Sequence, residues 1–366
     1  MTGSPGNPHR RRFLGLAAGA VGGVAAPAVV RAQSPISWRL ATAWAKDSQG
    51  GGLNARRLAE QIGILSGGRI AVQVFAAGEL AEPSALFDAV ASGAAELGHG
   101  TSADWPVRDP AFYFFSGVPF GLSGHEHAGW LRFGGGQSLW QRAYQPFGVV
   151  PFYAGSIGVP GAGWFRRPIA ELADVMNVPM RSSGLSGEIW RRLGANIVTL
   201  PSSAIPAAFA DGTIDAAEWM GPWRDYSLGL SAAVKNYYVP GFRSIGPSIE
   251  LIANSKAYDT LPDDLKAVVR AAASASAMET YADFTYNNIT SIAPLAASGV
   301  TVRELPAPIV MAAGREAAAL LKEVGEQSPI AGETYRSFLA FREKAVAYTG
   351  AGDEPALRLR KIALQA

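Results

Sequence analysis

Residues 36–98, ISWRLATAWAKDSQGGGLNARRLAEQIGILSGGRIAVQVFAAGELAEPSALFDAVASGAAELG, decide the fold class. Short runs rich in β-branched and aromatic residues alternate with stretches whose apolar residues recur at helical spacing. The expected elements are, in order, strand 36–42, helix 53–65, strand 70–75, helix 83–91 and strand 96–98. This β-α-β-α-β order predicts a three-layer α/β domain with a largely parallel sheet.

A second α/β set begins near residue 148. The expected strands are 149–153, 163–165, 178–181, 197–200 and 214–219, and the expected helices are 168–173, 184–193 and 202–210. Strand 248–252 is expected to return to the first lobe, and helices are expected over 265–291, 308–324 and 333–348. We therefore predict an α/β protein of two lobes with a ligand cleft between them and additional C-terminal helices. Lobe I is expected to comprise residues 36–150, together with residues 245–290, which return to it. Lobe II is expected to comprise residues 151–244, and the C-terminal helical segment residues 291–366.

Composition excludes several classes of function. The 366 residues are 48% hydrophobic and 17% charged, which suits a packed globular protein. No cysteine is present, so disulfides, a thiol nucleophile and an N-terminal lipid anchor on cysteine are excluded. Without the four Arg of the first 32 residues, 28 basic and 30 acidic side chains remain, and we expect no nucleic-acid partner.

The N-terminus has the features of an export signal. His9 to Gly15 read HRRRFLG, an apolar stretch follows to Val30, and Ala32 offers a small residue for cleavage. The pair Arg10-Arg11 with Phe13 and Leu14 fits the twin-arginine pattern. Residues 1–32 are predicted to be a twin-arginine signal peptide and the mature chain to be periplasmic.

Motifs of common enzymes are missing. The chain has no GxSxG, HExxH, GxxxxGK[ST] or strand-linked GxGxxG pattern. His125 and His127 alternate, and alternate positions do not share a helix face, so both are expected on the surface near a helix start. We predict that the protein is not an enzyme.

Arg181 is the first candidate for ligand binding. It ends a predicted strand in Met180-Arg181-Ser182-Ser183-Gly184, where an α/β lobe places its ligand. Its planar guanidinium can hold a carboxylate by two parallel hydrogen bonds, and the following helix start adds free amides. The alternative is a surface Arg paired with an acid.

Glu218 and Trp219 are the second candidates. They end the strand in DGTIDAAEWMGPW, residues 211–223, before a Gly-Pro break. The carboxylate is suited to a cation or a ligand hydroxyl, and the indole is suited to apolar ligand surface. The alternative is a buried acid paired with a neighbouring Arg beside a core Trp.

Over nearly the whole mature chain, the sequence resembles the solute-binding receptors of tripartite ATP-independent periplasmic (TRAP) transporters. The resemblance is greatest to the branch that binds 2-oxo and 2-hydroxy monocarboxylates. The shared stretches are AGEL 77–80, FDAV 87–90, DPAF 109–112, VPFG 118–121, GWF 163–165, MR 180–181, GTIDA 212–216, EW 218–219 and GP 221–222.

The resemblance implies a periplasmic binding protein fold that closes around its ligand. It assigns Arg181 to the ligand carboxylate, with Trp219, Glu218, Ser156 and Trp105 as further ligand-binding residues. A sodium or calcium ion often bridges ligand and protein in this branch, and the resemblance assigns Glu218 and Trp219 to it. It also implies a TRAP-type membrane permease as the partner, and it allows a homodimer.

Two positions depart from the family pattern. Pro160 stands where relatives have a Gln, and Ser244 stands near the place of an acid. A hard cation needs several oxygen ligands at once, so these departures weaken the predicted metal site.

The leading hypothesis is a receptor that captures a small organic acid, with Arg181 holding its carboxylate. The alternative is a periplasmic enzyme acting on a small organic acid with Glu218 as general base. A third hypothesis is a receptor that presents its ligand to a sensor protein.

Overall fold

The computed structural model describes residues 1–3 and 34–365. The predicted signal peptide, apart from its first three residues, falls outside them. The strands are β1 Ile36–Thr42, β2 Ile70–Phe75, β3 Leu97–Gly100, β4 Val149–Ser156, β5 Gly163–Phe165, β6 Pro179–Arg181, β7 Asn196–Val198, β8 Ala216–Ala217, β9 Asn236–Tyr238, β10 Ser248–Asn254 and β11 Thr301–Arg303.

Fourteen α-helices lie between and after these strands within the described residues. They are α1 Gly51–Leu65, α2 Leu86–Ser92, α3 Phe112–Ser116, α4 Gly124–Phe133, α5 Gly136–Tyr144, α6 Gly184–Arg192, α7 Ile205–Ala210, α8 Pro222–Ser227, α9 Leu230–Ala233, α10 Ser255–Asp259, α11 Asp263–Ala297, α12 Ala307–Gly325, α13 Pro329–Ala351 and α14 Asp353–Ala363.

The first sheet has the strand order β2-β1-β3-β10-β4. Strand β1 pairs in parallel with β2 and β3, whereas β10 runs antiparallel to both β3 and β4. Leu40, Leu97 and Leu251 are fully buried in this sheet. Strand β10 therefore returns the chain to the first lobe, as predicted for residues 248–252.

The second sheet has the order β11-β9-β5-β8-β6-β7. Its strands have two or three residues each, and β6 lies parallel to both β7 and β8. Because parallel strands end at the same edge, the carboxyl ends of β6, β7 and β8 lie together. This edge carries the candidate site.

Long helices connect the two sheets. Helix α11 packs on β4 of the first sheet and on α8 of the second lobe. There the Phe284 ring lies 5.2 Å from the Trp223 ring. Helix α13 packs on α3, α4 and α5, and α12 packs on α6, where Arg192 pairs with Glu323 at 2.6 Å. The C-terminal helices thus brace both lobes.

The predicted fold class, α/β with additional C-terminal helices, is confirmed. The lobe limits remain a prediction. In two places, however, a sheet includes residues that those limits assign to another part of the chain. Strand β4 carries the first sheet to Ser156, beyond residue 150, and β11 adds residues 301–303 to the second sheet.

The predicted helix over 168–173 is wrong, because the structure has only a short 3₁₀ turn at Leu172–Asp174. The Tyr238 hydroxyl donates to the carbonyl of Ile169 and accepts from its amide, which removes both groups from a helix. The Asp174 carboxylate accepts from the amides of Ala170 and Glu171 and closes the turn.

His127 is also placed differently from the prediction. His125 is exposed, but His127 is completely buried beside Trp130 and Phe338. It lies on the inner face of α4, whose start is closed by a capping box between Ser123 and Glu126.

None of the helices in the described part of the chain is both long and apolar enough to cross a membrane.

Candidate ligand-binding site

The Arg181 guanidinium lies at the carboxyl end of β6, between β7 and β8. Its Nε donates to the carbonyl oxygen of Leu200 at 3.2 Å, and its Nη1 donates to that of Glu218 at 2.9 Å. Within residues 34–365, Arg181 makes no ion pair, although the charges of Glu218 and Asp225 act on it, and its Nη2 makes no hydrogen bond. The half-buried side chain is therefore fixed in place with an N–H edge left for an anion.

Trp219 lies against this guanidinium. The Arg181 Cζ is 5.0 Å from the centroid of the indole ring, a cation–π distance. The Trp219 side chain is half-buried, so part of the ring also remains accessible. The structure thus brings together two of the residues that the sequence predicted.

Glu218 follows β8 and points away from the surface. The residue is 2% exposed, and its carboxylate accepts hydrogen bonds from the hydroxyls of Ser182 and Ser186, each at 2.8 Å. Burial raises the pKa of Glu218, and the charge of Arg243 is the strongest opposing cause. The carboxylate is thus anchored to the start of α6, where the helix dipole also favours negative charge.

Arg243 is a site residue that the sequence analysis missed. It lies in the connection from β9 to β10, and its Nη1 donates to the carbonyl oxygen of Trp219 at 3.2 Å. Its positive charge lowers the pKa of Glu218 and contributes to the lowered pKa of Arg181, whose first cause is burial. Arg243 is the single charged residue of the stretch VPGFRSIG, residues 239–246. An isolated charge in an apolar connection between the lobes is the sequence feature that could have identified it as a site residue.

The first lobe supplies the opposite side of the site. Asp104 ends a 3₁₀ turn after β3, and desolvation by the surrounding protein raises its pKa to about 6, against the charge of Arg243. The residue nevertheless keeps solvent-exposed surface. Tyr113 reaches towards the second lobe, since a Cβ built on Gly184 would lie 4.0 Å from its Cε1. Asp104, Tyr113 and Arg243 therefore lie where the two lobes approach each other.

Trp105 and Ser156 lie deeper. Trp105 is 4% exposed, its indole N–H donates to the Tyr144 hydroxyl at 3.1 Å, and that hydroxyl lies 3.0 Å from Glu250. Ser156 is completely buried, and its Oγ accepts the amide hydrogen of Gly158 at 3.2 Å. The structure places both in the first lobe's interior, and their contact with ligand remains a prediction.

Residues 40–328 match the sequence profile of the bacterial extracellular solute-binding protein family 7. The chain belongs to this family. Family 7 proteins bind solutes, so the chain is a binding receptor rather than an enzyme. The buried, doubly hydrogen-bonded Glu218 likewise gives no support to the alternative of a general base.

Relatives within family 7 are similar over most of their length. The chain is 33% identical over 313 residues to a monocarboxylate 2-oxoacid-binding periplasmic protein of Nostoc sp., covering 86% of each. A TRAP transporter solute-binding protein of Bordetella bronchiseptica, with copurified calcium and picolinate, has a TM-score of 0.86 at 29% identity over 91% of this chain and 99% of its own. A TRAP protein of Pseudoalteromonas atlantica with bound sodium and pyruvate has a TM-score of 0.84 at 30% identity over 88% and 99%.

Around Arg181, few side-chain oxygens of the described residues are free for a metal ion of that kind. Residues 34–365 contain no cluster of three or more His, Asp or Glu arranged for a metal. Pro160 has no side-chain donor, and its carbonyl accepts the amide of Gly241 at 2.8 Å. Ser244 is 1% exposed, and its Oγ accepts the amide of Gly246 at 3.3 Å. Glu218 and Trp219, the predicted ligands, have oxygens that accept protein hydrogen bonds.

Proposed function

We propose that the chain is the periplasmic receptor of a TRAP transporter and captures a small 2-oxo or 2-hydroxy monocarboxylate. The ligand's carboxylate binds the free N–H edge of Arg181, and the exposed part of the Trp219 ring covers its apolar part. The two lobes close over the ligand, and the closed form delivers it to a TRAP-type membrane permease. Pyruvate in the Pseudoalteromonas protein and the 2-oxoacid-binding relative of Nostoc sp. support this ligand class, and picolinate in the Bordetella protein supports a small monocarboxylate.

The observation that carries the proposal is the fixed but unpaired guanidinium of Arg181. A half-buried Arg normally has an acidic partner, because removing its charge from water is costly. Here, among the described residues, its hydrogen-bond partners are carbonyl oxygens, and the charge that changes its pKa most is the positive charge of Arg243, ahead of the opposing charges of Glu218 and Asp225. An anion placed on its free edge would offset that cost and add charge-assisted hydrogen bonds of about 1.5–3 kcal/mol each.

Isothermal titration calorimetry with pyruvate, lactate and 2-oxobutyrate tests this function. We expect Arg181→Ala to weaken binding of the preferred acid by at least about tenfold, and Arg181→Lys to recover it only in part, because an ammonium lacks the planar fork. Arg191→Ala is the matched control, since Arg191 lies on α6 and pairs with Glu188 at the surface. Unchanged affinity in Arg181→Ala, or no binding of any of the three acids to the unaltered protein, would refute the proposal.

The export route is part of the same proposal. The Arg10-Arg11 pattern supports translocation by the twin-arginine pathway, and the periplasmic relative of Nostoc sp. supports the destination.

We also propose that two copies associate through α11. Three large apolar side chains of this helix, Met278, Tyr286 and Ile289, are 67–69% exposed and share one face. Ile64 of α1, which is 72% exposed, lines the same surface depression as Tyr286. The solved Bordetella protein is itself a dimer, which supports a second copy as the occupant.

Light scattering coupled to size-exclusion chromatography tests this association. We expect twice the chain mass for the unaltered protein and the single chain mass for Ile289→Glu, because a buried unpaired carboxylate opposes the contact. Val346→Glu is the control, since Val346 is 65% exposed on α13. A single chain mass for the unaltered protein would contradict the dimer.

A further inference from the structure

The Glu218-Trp219 pair has four oxygen atoms that could contact a cation, and each already accepts a hydrogen bond. The two carboxylate oxygens of Glu218 accept from Ser182 and Ser186. The main-chain oxygen of Glu218 accepts from Arg181, and that of Trp219 accepts from Arg243. The Trp219 indole offers only an N–H donor, so it cannot bind a metal.

Two of these four contacts come from guanidinium groups. Arg243 makes no ion pair with an acid in the structured part of the chain, but its positive charge acts on the buried Glu218 carboxyl and on Asp104, which places it at the site. Two like charges held close together in a partly desolvated site repel each other, and a divalent ion doubles that repulsion. A metal ion beside the Trp219 carbonyl would therefore meet a fixed positive charge in the place of a ligand.

We propose that Arg243 supplies the second positive charge that sodium or calcium supplies in the relatives, so that this receptor binds its carboxylate ligand without a metal. The inference rests on the proposed function, because it concerns the same ligand at the same site. Arg181 and Arg243 are both linked to the Glu218-Trp219 segment through main-chain oxygens, which holds the two cations on one side of the cleft.

The chemistry of the two arrangements differs. A metal ion must be recruited, and its affinity depends on several oxygen donors being free at once. A guanidinium is always charged, and it donates hydrogen bonds to carboxylate, oxo or hydroxyl oxygens of the ligand. Pro160, which has no side-chain oxygen, and Ser244, which is not an acid, agree with this arrangement, because a receptor that binds no metal ion needs no metal ligand at either position.

The first test needs no substitution. The protein is freed of metal with a chelating resin, its metal content is checked by mass spectrometry, and pyruvate, lactate and 2-oxobutyrate are titrated by calorimetry in choline buffer with EDTA, with sodium or with calcium. We expect the dissociation constant of the bound acid to agree within about twofold across the three buffers. A weakening of tenfold or more in EDTA that calcium or sodium reverses would overturn the inference.

The second test concerns Arg243 itself. In metal-free buffer we expect Arg243→Gln to weaken binding by about tenfold or more and Arg243→Lys, which keeps the charge, to weaken it less. Arg191→Ala again serves as the control, and thermal melting shows that each variant is folded. Unchanged affinity in a folded Arg243→Gln protein would overturn the inference.

The two proposals fail in different ways. If Arg181→Ala keeps full affinity, or no acid binds in any buffer, the proposed function is wrong and the inference falls with it. If Arg181→Ala abolishes binding while the unaltered protein requires a metal, the proposed function stands and the role of Arg243 is wrong.

Discussion

The hydrogen bonds of single residues define the site, because they determine which polar groups remain free for a ligand. Arg181 is fixed by two carbonyl oxygens and keeps one edge free, whereas each oxygen of the Glu218 carboxylate already accepts a hydrogen bond from a serine. Contact between Glu218 and the ligand stays a prediction.

Asp104 gives the site a dependence on pH. Its pKa of about 6 means that it is mostly ionised at pH 7.5 and mostly protonated at pH 5. Because its negative charge faces the same cleft as Arg243, it opposes an anionic ligand when ionised. We expect the affinity for the organic acid to rise by about three- to tenfold as pH falls from 7.5 to 5, measured by calorimetry.

In Asp104→Asn this rise should be greatly reduced, and the affinity at pH 7.5 should approach that of the unaltered protein at pH 5. Asp225, whose pKa burial also raises to about 6, accounts for any remaining slope. Asp88→Asn is the control, because Asp88 pairs with Arg108 on the surface of the first lobe. A slope that is the same in all three proteins would contradict this role of Asp104.

Single residues also show what the sequence could and could not reveal. The position of Arg181 within its own lobe was predictable, because Arg181 ends a strand and is followed by Ser-Ser-Gly and a helix. Arg243 was not, because its partner Trp219 is 24 residues earlier and the connection between them has no regular pattern. Glu218 was identified as a site residue, but its burial was not predictable. The serines that donate to its carboxylate, Ser182 and Ser186, are over 30 residues away.

Among the elements, most strands were predictable from local patterns, including the three-residue β5, whereas β9 and β11 were not. Strand β1 has the predicted bounds, and β10 joins the predicted sheet. Strands β9 and β11 have three residues each and pair across more than 60 positions, so local periodicity gives no signal for them. The predicted helix over 168–173 failed because Tyr238, distant in sequence, takes the backbone groups of Ile169.

Helix α4 provides a prediction about stability. Burial lowers the pKa of His127 to about 4, so the folded protein holds this ring neutral while the unfolded chain protonates it near pH 6.5. The stabilisation is complete above pH 6.5 and is lost as pH falls towards 4. Between pH 7 and pH 5, we expect the free energy of unfolding to fall by about 2 kcal/mol from this residue alone.

Urea unfolding of the unaltered protein and of His127→Phe at both pH values measures this contribution. The loss between pH 7 and pH 5 should be smaller by about 2 kcal/mol in His127→Phe. His125→Phe is the matched control, because His125 is exposed two residues away on the same helix. Equal pH dependence in all three proteins would show that His127 does not titrate on unfolding.

At the scale of the whole molecule, the two sheets are separate, but their connections are shared. Helix α11 contacts both lobes, and the segment from β9 to β10 carries Arg243 from the second lobe towards the first. The site is therefore built from residues far apart in sequence, and any change in the angle between the lobes moves Asp104 and Tyr113 relative to Arg181. This geometry suits a receptor whose ligand stabilises a closed form.

We expect a small organic anion to bind Arg181 between the lobes. A crystal structure of the protein grown with its preferred monocarboxylate tests it most directly. In that crystal a carboxylate oxygen should lie about 3 Å from the Arg181 guanidinium, with the Trp219 ring against the ligand and both lobes in contact with it. A ligand carboxylate bound elsewhere, or an Arg181 side chain turned to bulk solvent in that crystal, would contradict it.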